Sequence, residues 1–300
     1  MVRSGIVTIS PKKCTTLRSF SKENVLRSYY IDLNYFLMLP EHYGRIVYDE
    51  AGIPVFMYDP PIGPKYNPTT VSLHAIASYQ IGEYSKFFKY VKWLIEHFHY
   101  LNDKIFLYIE FPFPPRAHKP HWTSGLTQGL AASTMVRAYI KTGDAHYLIY
   151  AQGLIDGMLT PIGEGGCLFT QGDSIWIEEY PLEKPPKHVL NGLIFAMLGL
   201  YDVYLATQKR EFLRKFKELF FTLEKNTKLF DLFLWSRYDS SPRNISGKWY
   251  HLLNTTLLYA ISRLTNSLKM RVLAERWYLG YIILGRTLNF SHCYRKPALK

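Results

Sequence analysis

The sequence is expected to fold as a mainly α protein: an incomplete α/α toroid of about four helix hairpins, preceded by a short irregular arm with a β-hairpin. Three observations support this. From about residue 70 onward, apolar residues recur at three- and four-residue spacing, the period of helices with a buried face. The pattern returns four times, with first helices starting near residues 71, 124, 188 and 250, roughly 50–65 residues apart, which suits one helix pair per unit. In the third unit the first helix is apolar nearly all round (Val189, Leu190, Leu193, Ile194, Met197, Leu198, Tyr201), whereas the second sets Phe212, Phe216, Leu219 and Phe220 against Lys and Arg. Helices buried on both sides and helices with one wet face describe the inner and outer layers of a ring.

In chain order, residues 1–68 form the irregular arm. A short helix is expected near "KENVLRSYYID", and "YDEAGIPVF" reads as a hairpin turning at Ala51-Gly52. Pro60, Pro61, Gly63, Pro64 and Pro68 then punctuate a linker. The arm has too little alternation for a sheet domain of its own and is expected to pack on the main body. Residues 69–300 form the toroid. The first two units break at Gly82 and at Gly143-Asp144, and the last two open alike, with His188-Val-Leu-Asn191 and His251-Leu-Leu-Asn254.

In such a ring the loops running from outer to inner helices share one mouth. The long ones, 101–123, 160–187 and 227–249, are all of this kind, and long loops in compact domains tend to be functional. They carry Glu110, Arg116, His118, His121 and Trp122; then Trp176, Glu178, Glu179 and Tyr180; then Trp235, Arg237, Tyr238, Asp239, Arg243, Trp249 and Tyr250. Carboxylates, phenols and guanidiniums among aromatics are the composition of a polar substrate site. Trp122, Trp176 and Trp249 read equally as sugar platforms or loop anchors. "HKPH" (118–121) lacks a third ligand and is weak evidence for a metal.

The composition narrows the partner. Apolar residues make up 48% and charged residues 20%, so the chain is globular, and its 24 tyrosines suit sugars, whose C–H faces stack on rings. The net charge is +12, and residues 237–276 hold seven Lys or Arg against two acids, which favours an anionic partner or a merely solvated basic face. No zinc finger, ribonucleoprotein motif or Gly-rich phosphate loop supports nucleic acid, and no cofactor motif is present. Cys14, Cys167 and Cys293 are too few and too scattered for a disulfide framework. The N-terminus lacks a signal peptide's apolar core. No apolar run is expected to reach the ~18 residues of a membrane span. "WYLGYIILG" (277–285) is the strongest candidate, and a cytoplasmic location follows as the expectation.

Several blocks, "SGLTQGLAASTMVRAYIKTGD", "WIEEYP", "KHVLNGLIFAMLGLYDV", "YHLLNTTLL" and "ERWYLGY", resemble the C-terminal domain of the D-glucuronyl C5-epimerases (heparosan-N-sulfate-glucuronate 5-epimerases) from about residue 66 to 283. The resemblance implies an α/α toroid. It also implies an enzyme that inverts C5 of D-glucuronate to L-iduronate in a heparosan- or heparan-like polysaccharide. Glu179 is implied as the base on one face of the sugar and Tyr250 as the acid/base on the other, with Tyr238 and Tyr180 assisting. Arg237, Arg243, Arg116, Trp122, Gln128, Trp176, Asn191 and His251 are the candidate substrate-binding residues. Where the family places an arginine two residues after Tyr-Asp, this chain has Ser241, leaving Arg237 or Arg243 to clamp the uronate carboxylate. The implied partner is an anionic uronate polymer; a homodimer is left open. A polysaccharide lyase that abstracts the same proton and then expels the C4 substituent is the alternative, as is a non-catalytic binder of acidic glycan.

Overall fold

The computed structural model describes residues 26–39, 42, 44–116 and 118–285. Its frame is four helix hairpins: α2 (Pro68–Gln80) with α3 (Tyr84–Glu96), α4 (Gly125–Thr142) with α5 (His146–Met158), α6 (Leu190–Thr207) with α7 (Arg210–Lys225), and α8 (Lys248–Thr265) with α9 (Leu268–Leu284). The first member of each pair packs beside the first member of the next, α2 on α4, α4 on α6 and α6 on α8, so these are the inner helices of the ring. Their starts lie within three residues of those read from periodicity.

Local chemistry sets the ends. Asn67 caps α2, its side chain accepting from Thr69 N, with Pro68 at the first helical position, where its missing N–H costs nothing. Ser267 caps α9 in the same way. α4 stops at Gly143, whose φ of 77° is one that few residues other than glycine adopt readily. α4 and α6 pack backbone to backbone: a Cβ on Gly199 would lie 2.2 Å from Gly129 O. The outer helix α7 buries only Phe212, Phe216, Leu219, Thr222 and Leu223. α6 is buried on nearly every side, and it corrects one expectation. Among the described residues it is long and apolar enough to cross a membrane by length and composition, with 78% of its window buried inside the ring.

The arm runs from one end of the ring to the other. At the base, Arg137 Nε donates to Ser28 O (2.6 Å), Tyr30 O–H to Asp202 Oδ1 (2.9 Å) and Gln80 Nε2 to Ile31 O (2.9 Å). The helix expected across residues 22–32 lies partly outside the described residues. α1 (Leu33–Leu37), capped by Asp32, follows and packs along α2. Trp249 Nε1, at the start of α8, donates to Phe36 O (3.3 Å), so the arm spans the gap between the first and last inner helices. β1 (Ile46–Tyr48) then pairs antiparallel with β2 (Pro54–Met57) around Gly52, and β3 (Pro64–Lys65) adds a third strand.

The long loops are more regular than expected. The first contains a hairpin, β4 (His99–Leu101) with β5 (Lys104–Phe106), and the second contains β6 (Leu168–Gln171) with β7 (Ser174–Ile177). Of the cysteines, Cys14 and Cys293 lie outside the described residues. Cys167 is buried, its thiol pushed up to about 12 by that burial.

Candidate active site

β7 delivers the paired carboxylates of Glu178 and Glu179. The strand ends at Ile177 and the chain bends at Glu179, and the two neighbours face different surroundings. Glu178 turns to His188, whose Nδ1 donates to its Oε1 (2.5 Å), and His188 stacks on Trp176 with centroids 4.0 Å apart. Glu179 turns to the mouth and lies against the first turn of α6. A Cβ on Gly192 would come within 2.6 Å of Glu179 Oε2, so only glycine leaves room for the carboxylate there.

Around Glu179 the three loops converge. Tyr238 O–H donates to Glu179 Oε1 (3.2 Å), and the Tyr180 and Tyr238 hydroxyls lie 3.4 Å apart. The Arg116 guanidinium lies over both phenols, 4.7 Å from the Tyr180 ring centre and 5.7 Å from that of Tyr238. Arg116 is itself buried and held by two acids: Nη1 donates to Glu183 Oε2 (2.9 Å) and Nη2 to Asp239 Oδ2 (2.7 Å). Burial works against its charge, but these phenols and carboxylates together hold its pKa above the usual arginine value.

Glu179 is less fully served. It is buried, and its Oε2 has no hydrogen-bond partner. Burial pushes its carboxyl up to about 7, against the opposing pull of Tyr180, Arg116 and Tyr238. A carboxyl with that value exchanges protons near neutrality. Tyr250 is half-buried at the start of α8, edge-on to the Tyr238 ring at 4.7 Å and to Trp249 at 4.8 Å. One carboxyl and three phenols thus share a cluster with Phe111, Phe113 and Trp122, apart from the main core.

The other residues singled out in the sequence separate into two groups. Asn191 lies in the first turn of α6, buried, with its Nδ2 unpartnered. The rest serve the scaffold. Gln128 accepts from Leu107 N and donates to Ile105 O and Leu154 O, which ties α4 to the first loop and to α5. His251 accepts from Ser236 N and donates to Trp277 O, and burial lowers its pKa to about 3, so it stays neutral. Trp122 and Trp176 are buried loop anchors, Trp122 donating to Phe111 O (3.1 Å). Arg237 donates to Leu229 O and Pro242 O of its own loop, and Arg243 is exposed. The guanidinium beside Tyr238-Asp239 is that of Arg116. His118 is buried on Trp122, whereas His121 is exposed and pairs with Glu110, and no metal-holding group of three occurs among the described residues.

Tyr58 is a residue that the sequence did not single out. It reaches the same cluster from the arm, with its ring centre 5.1 Å from that of Phe111. Its place in a Pro-rich run without periodicity left no signal. The partners of Arg116 were equally silent, because Glu183 is 67 residues away and Asp239 is 123 away.

Comparison with known proteins places the chain in a family and in a fold. The family model of the D-glucuronyl C5-epimerase C-terminus matches residues 101–278. A D-glucuronyl C5-epimerase of Caenorhabditis elegans is 27% identical over 180 residues, covering 54% of this chain and 29% of that protein. An uncharacterised protein of Methanocaldococcus jannaschii is 30% identical over 157 residues, 51% of each. The alignments therefore span about half or less of these relatives. The solved structure of a GH76 alpha-mannanase of Bacteroides thetaiotaomicron superposes with a TM-score of 0.54 at 12% identity, covering 86% of this chain and 72% of the other. At that identity the likeness concerns the fold alone, and the α/α toroid expected from the repeats is the fold observed.

Proposed function

Because the chain belongs to the family of D-glucuronyl C5-epimerase C-termini, we propose that it inverts C5 of glucuronate within an anionic, heparosan-like polysaccharide. The observation that carries this reading is Glu179: a buried carboxyl at about 7, with one oxygen unpartnered, set among phenols and beside a guanidinium.

The C5 proton is acidified by the adjacent uronate carboxylate. Glu179 takes it, and the electron pair of the broken C–H bond moves into the carboxylate. Tyr238, which donates to Glu179 Oε1 in the free protein, has a proton to offer the charge that develops there. Tyr250 O–H returns a proton to C5 from the opposite face; a phenol near ~10 is acidic enough to protonate so basic a carbanion. Glu179 is left protonated and Tyr250 ionised, and exchange with solvent resets both.

Incubation with heparosan in D₂O tests this. The epimerase places deuterium at C5 of uronate and yields iduronate. Appearance of an unsaturated, ultraviolet-absorbing end instead would reassign the chain to elimination. Binding without either change would make it a glycan-binding protein.

A further inference from the structure

We infer that Tyr58, delivered by the N-terminal arm, is a further substrate-binding residue of this mouth, donating its phenol hydrogen to an oxygen of the bound uronate polymer. The inference rests on the functional reading above and names a contact from outside the matched span, residues 101–278.

The argument starts at the cap of α2. Asn67 Oδ1 accepts from Thr69 N (2.8 Å), which fixes which end of the amide faces which way. Its other end, Nδ2, therefore faces Tyr58 and donates to the phenol oxygen (2.6 Å). Tyr58 is thus an acceptor toward Asn67, and its own hydrogen must point elsewhere. Among the described residues no acceptor takes it. A tyrosine enclosed by protein ordinarily finds a partner for its hydroxyl.

The ring is held where that hydrogen is useful. Phe56, Phe111 and Phe113 lie 4.6, 5.1 and 6.2 Å from it, and Phe113 stacks on Tyr180 at 5.7 Å, so Tyr58 extends the aromatic wall that carries the Glu179 cluster. Burial, together with the nearby Glu179 charge, pushes the phenol up to about 12 against the pull of Asn67. It stays protonated throughout the range in which Glu179 titrates. It is a donor and not a base, on a half-buried side chain.

The test is Tyr58→Phe, which removes one hydroxyl and leaves the ring. A heparosan oligosaccharide is the probe, read both by C5 deuterium exchange and by calorimetric binding. KM and Kd are expected to rise about tenfold, the scale of a lost hydrogen bond to a charged or polyhydroxylated ligand, with kcat changed by less than about threefold. Tyr48→Phe, on the neighbouring strand, is expected to change neither.

Asn67→Asp supplies an independent arm. It keeps the cap but presents an oxygen to Tyr58, which draws the phenol hydrogen back from the mouth. Because it also adds a charge, it is read as a cycle: in the Tyr58→Phe background its effect on Kd is expected to shrink several-fold. Exchange by the wild type with unchanged KM and Kd in Tyr58→Phe, or a fully additive cycle, overturns this inference alone. A wild type that neither exchanges nor binds the oligosaccharide overturns the functional reading and this contact together.

Discussion

The two ends of the ring are built from the same parts and put them to different use. At the base, Arg137 pairs with Asp202 (2.7 Å) and lies 4.7 Å over the Tyr29 ring, while Tyr30 donates to Asp202. At the mouth, Arg116 pairs with Asp239 (2.7 Å) and lies 4.7 Å over the Tyr180 ring. Each is a buried arginine, an aspartate and two tyrosines. At the base these groups also bind the arm, through Ser28 O and Tyr30, and both oxygens of Asp202 are engaged. At the mouth the arginine is held as firmly, by Glu183 as well as Asp239, and the cluster adds a third carboxylate, that of Glu179, with an oxygen left unpartnered. A buried ion pair whose carboxylate has both oxygens engaged, as at Asp202, rigidifies a fold, whereas a buried carboxyl with an oxygen left open is costly to keep and ready to react. Arrangement, more than composition, separates a clamp from a site.

The comparison breaks most sharply at Glu179. Glu179→Gln is expected to lower C5–H exchange by ~10²–10⁴, the usual share of a general acid/base group. The same change is expected to stabilise the fold. The folded-state carboxyl titrates at about 7, above its ordinary 4.5, so between those values the folded protein holds a proton that the unfolded chain has lost. Stability therefore falls as pH rises from 4.5 to 7, by ~3 kcal/mol in all. Denaturant titrations at pH 5 and pH 8 are expected to show this loss in the wild type and not in Glu179→Gln.

The base should answer in the opposite sense. Asp202→Asn leaves Arg137 buried without its counter-charge, and a loss of ~3–5 kcal/mol is expected, read as a lowered Tm. The folded fraction is expected to keep its exchange rate. A large loss of exchange per folded molecule would mean that base and mouth are coupled.

The smallest effect is expected beside the largest. Glu178→Gln should retain exchange within about tenfold, because the side chain faces His188 and not the mouth. Its cost belongs to stability, about 1–3 kcal/mol for a buried charged hydrogen bond. If Glu178→Gln loses exchange and Glu179→Gln keeps it, the two carboxylates have exchanged roles.

Much of the frame was legible from residue order. The four inner helices begin where periodicity placed them, and the chain turns at Gly52 as the hairpin pattern required. Both are local properties: a helix face and a turn are each written within a few residues. Proximity to the mouth could also be read, since the loops leading into inner helices gather Glu179, Tyr180, Tyr238 and Tyr250. The direction of each side chain could not. Gln128 and His251 lie beside site-forming segments yet point into the scaffold, and α6 reads by composition as a possible span although the ring encloses it.

Arg116 shows most clearly what tertiary structure alone decided. The sequence marked it as one substrate-binding candidate among several and left the carboxylate clamp to Arg237 or Arg243. In the fold, Glu183 and Asp239 engage it from 67 and 123 residues away, which turns it toward the tyrosines. The sequence determined which segments become helices and which loops meet at the mouth, because those depend on local pattern. Only the assembled fold decided which oxygen of Glu179 stays unpartnered and which arginine sits beside it, because burial and pairing of charges arise between segments that the chain order keeps far apart.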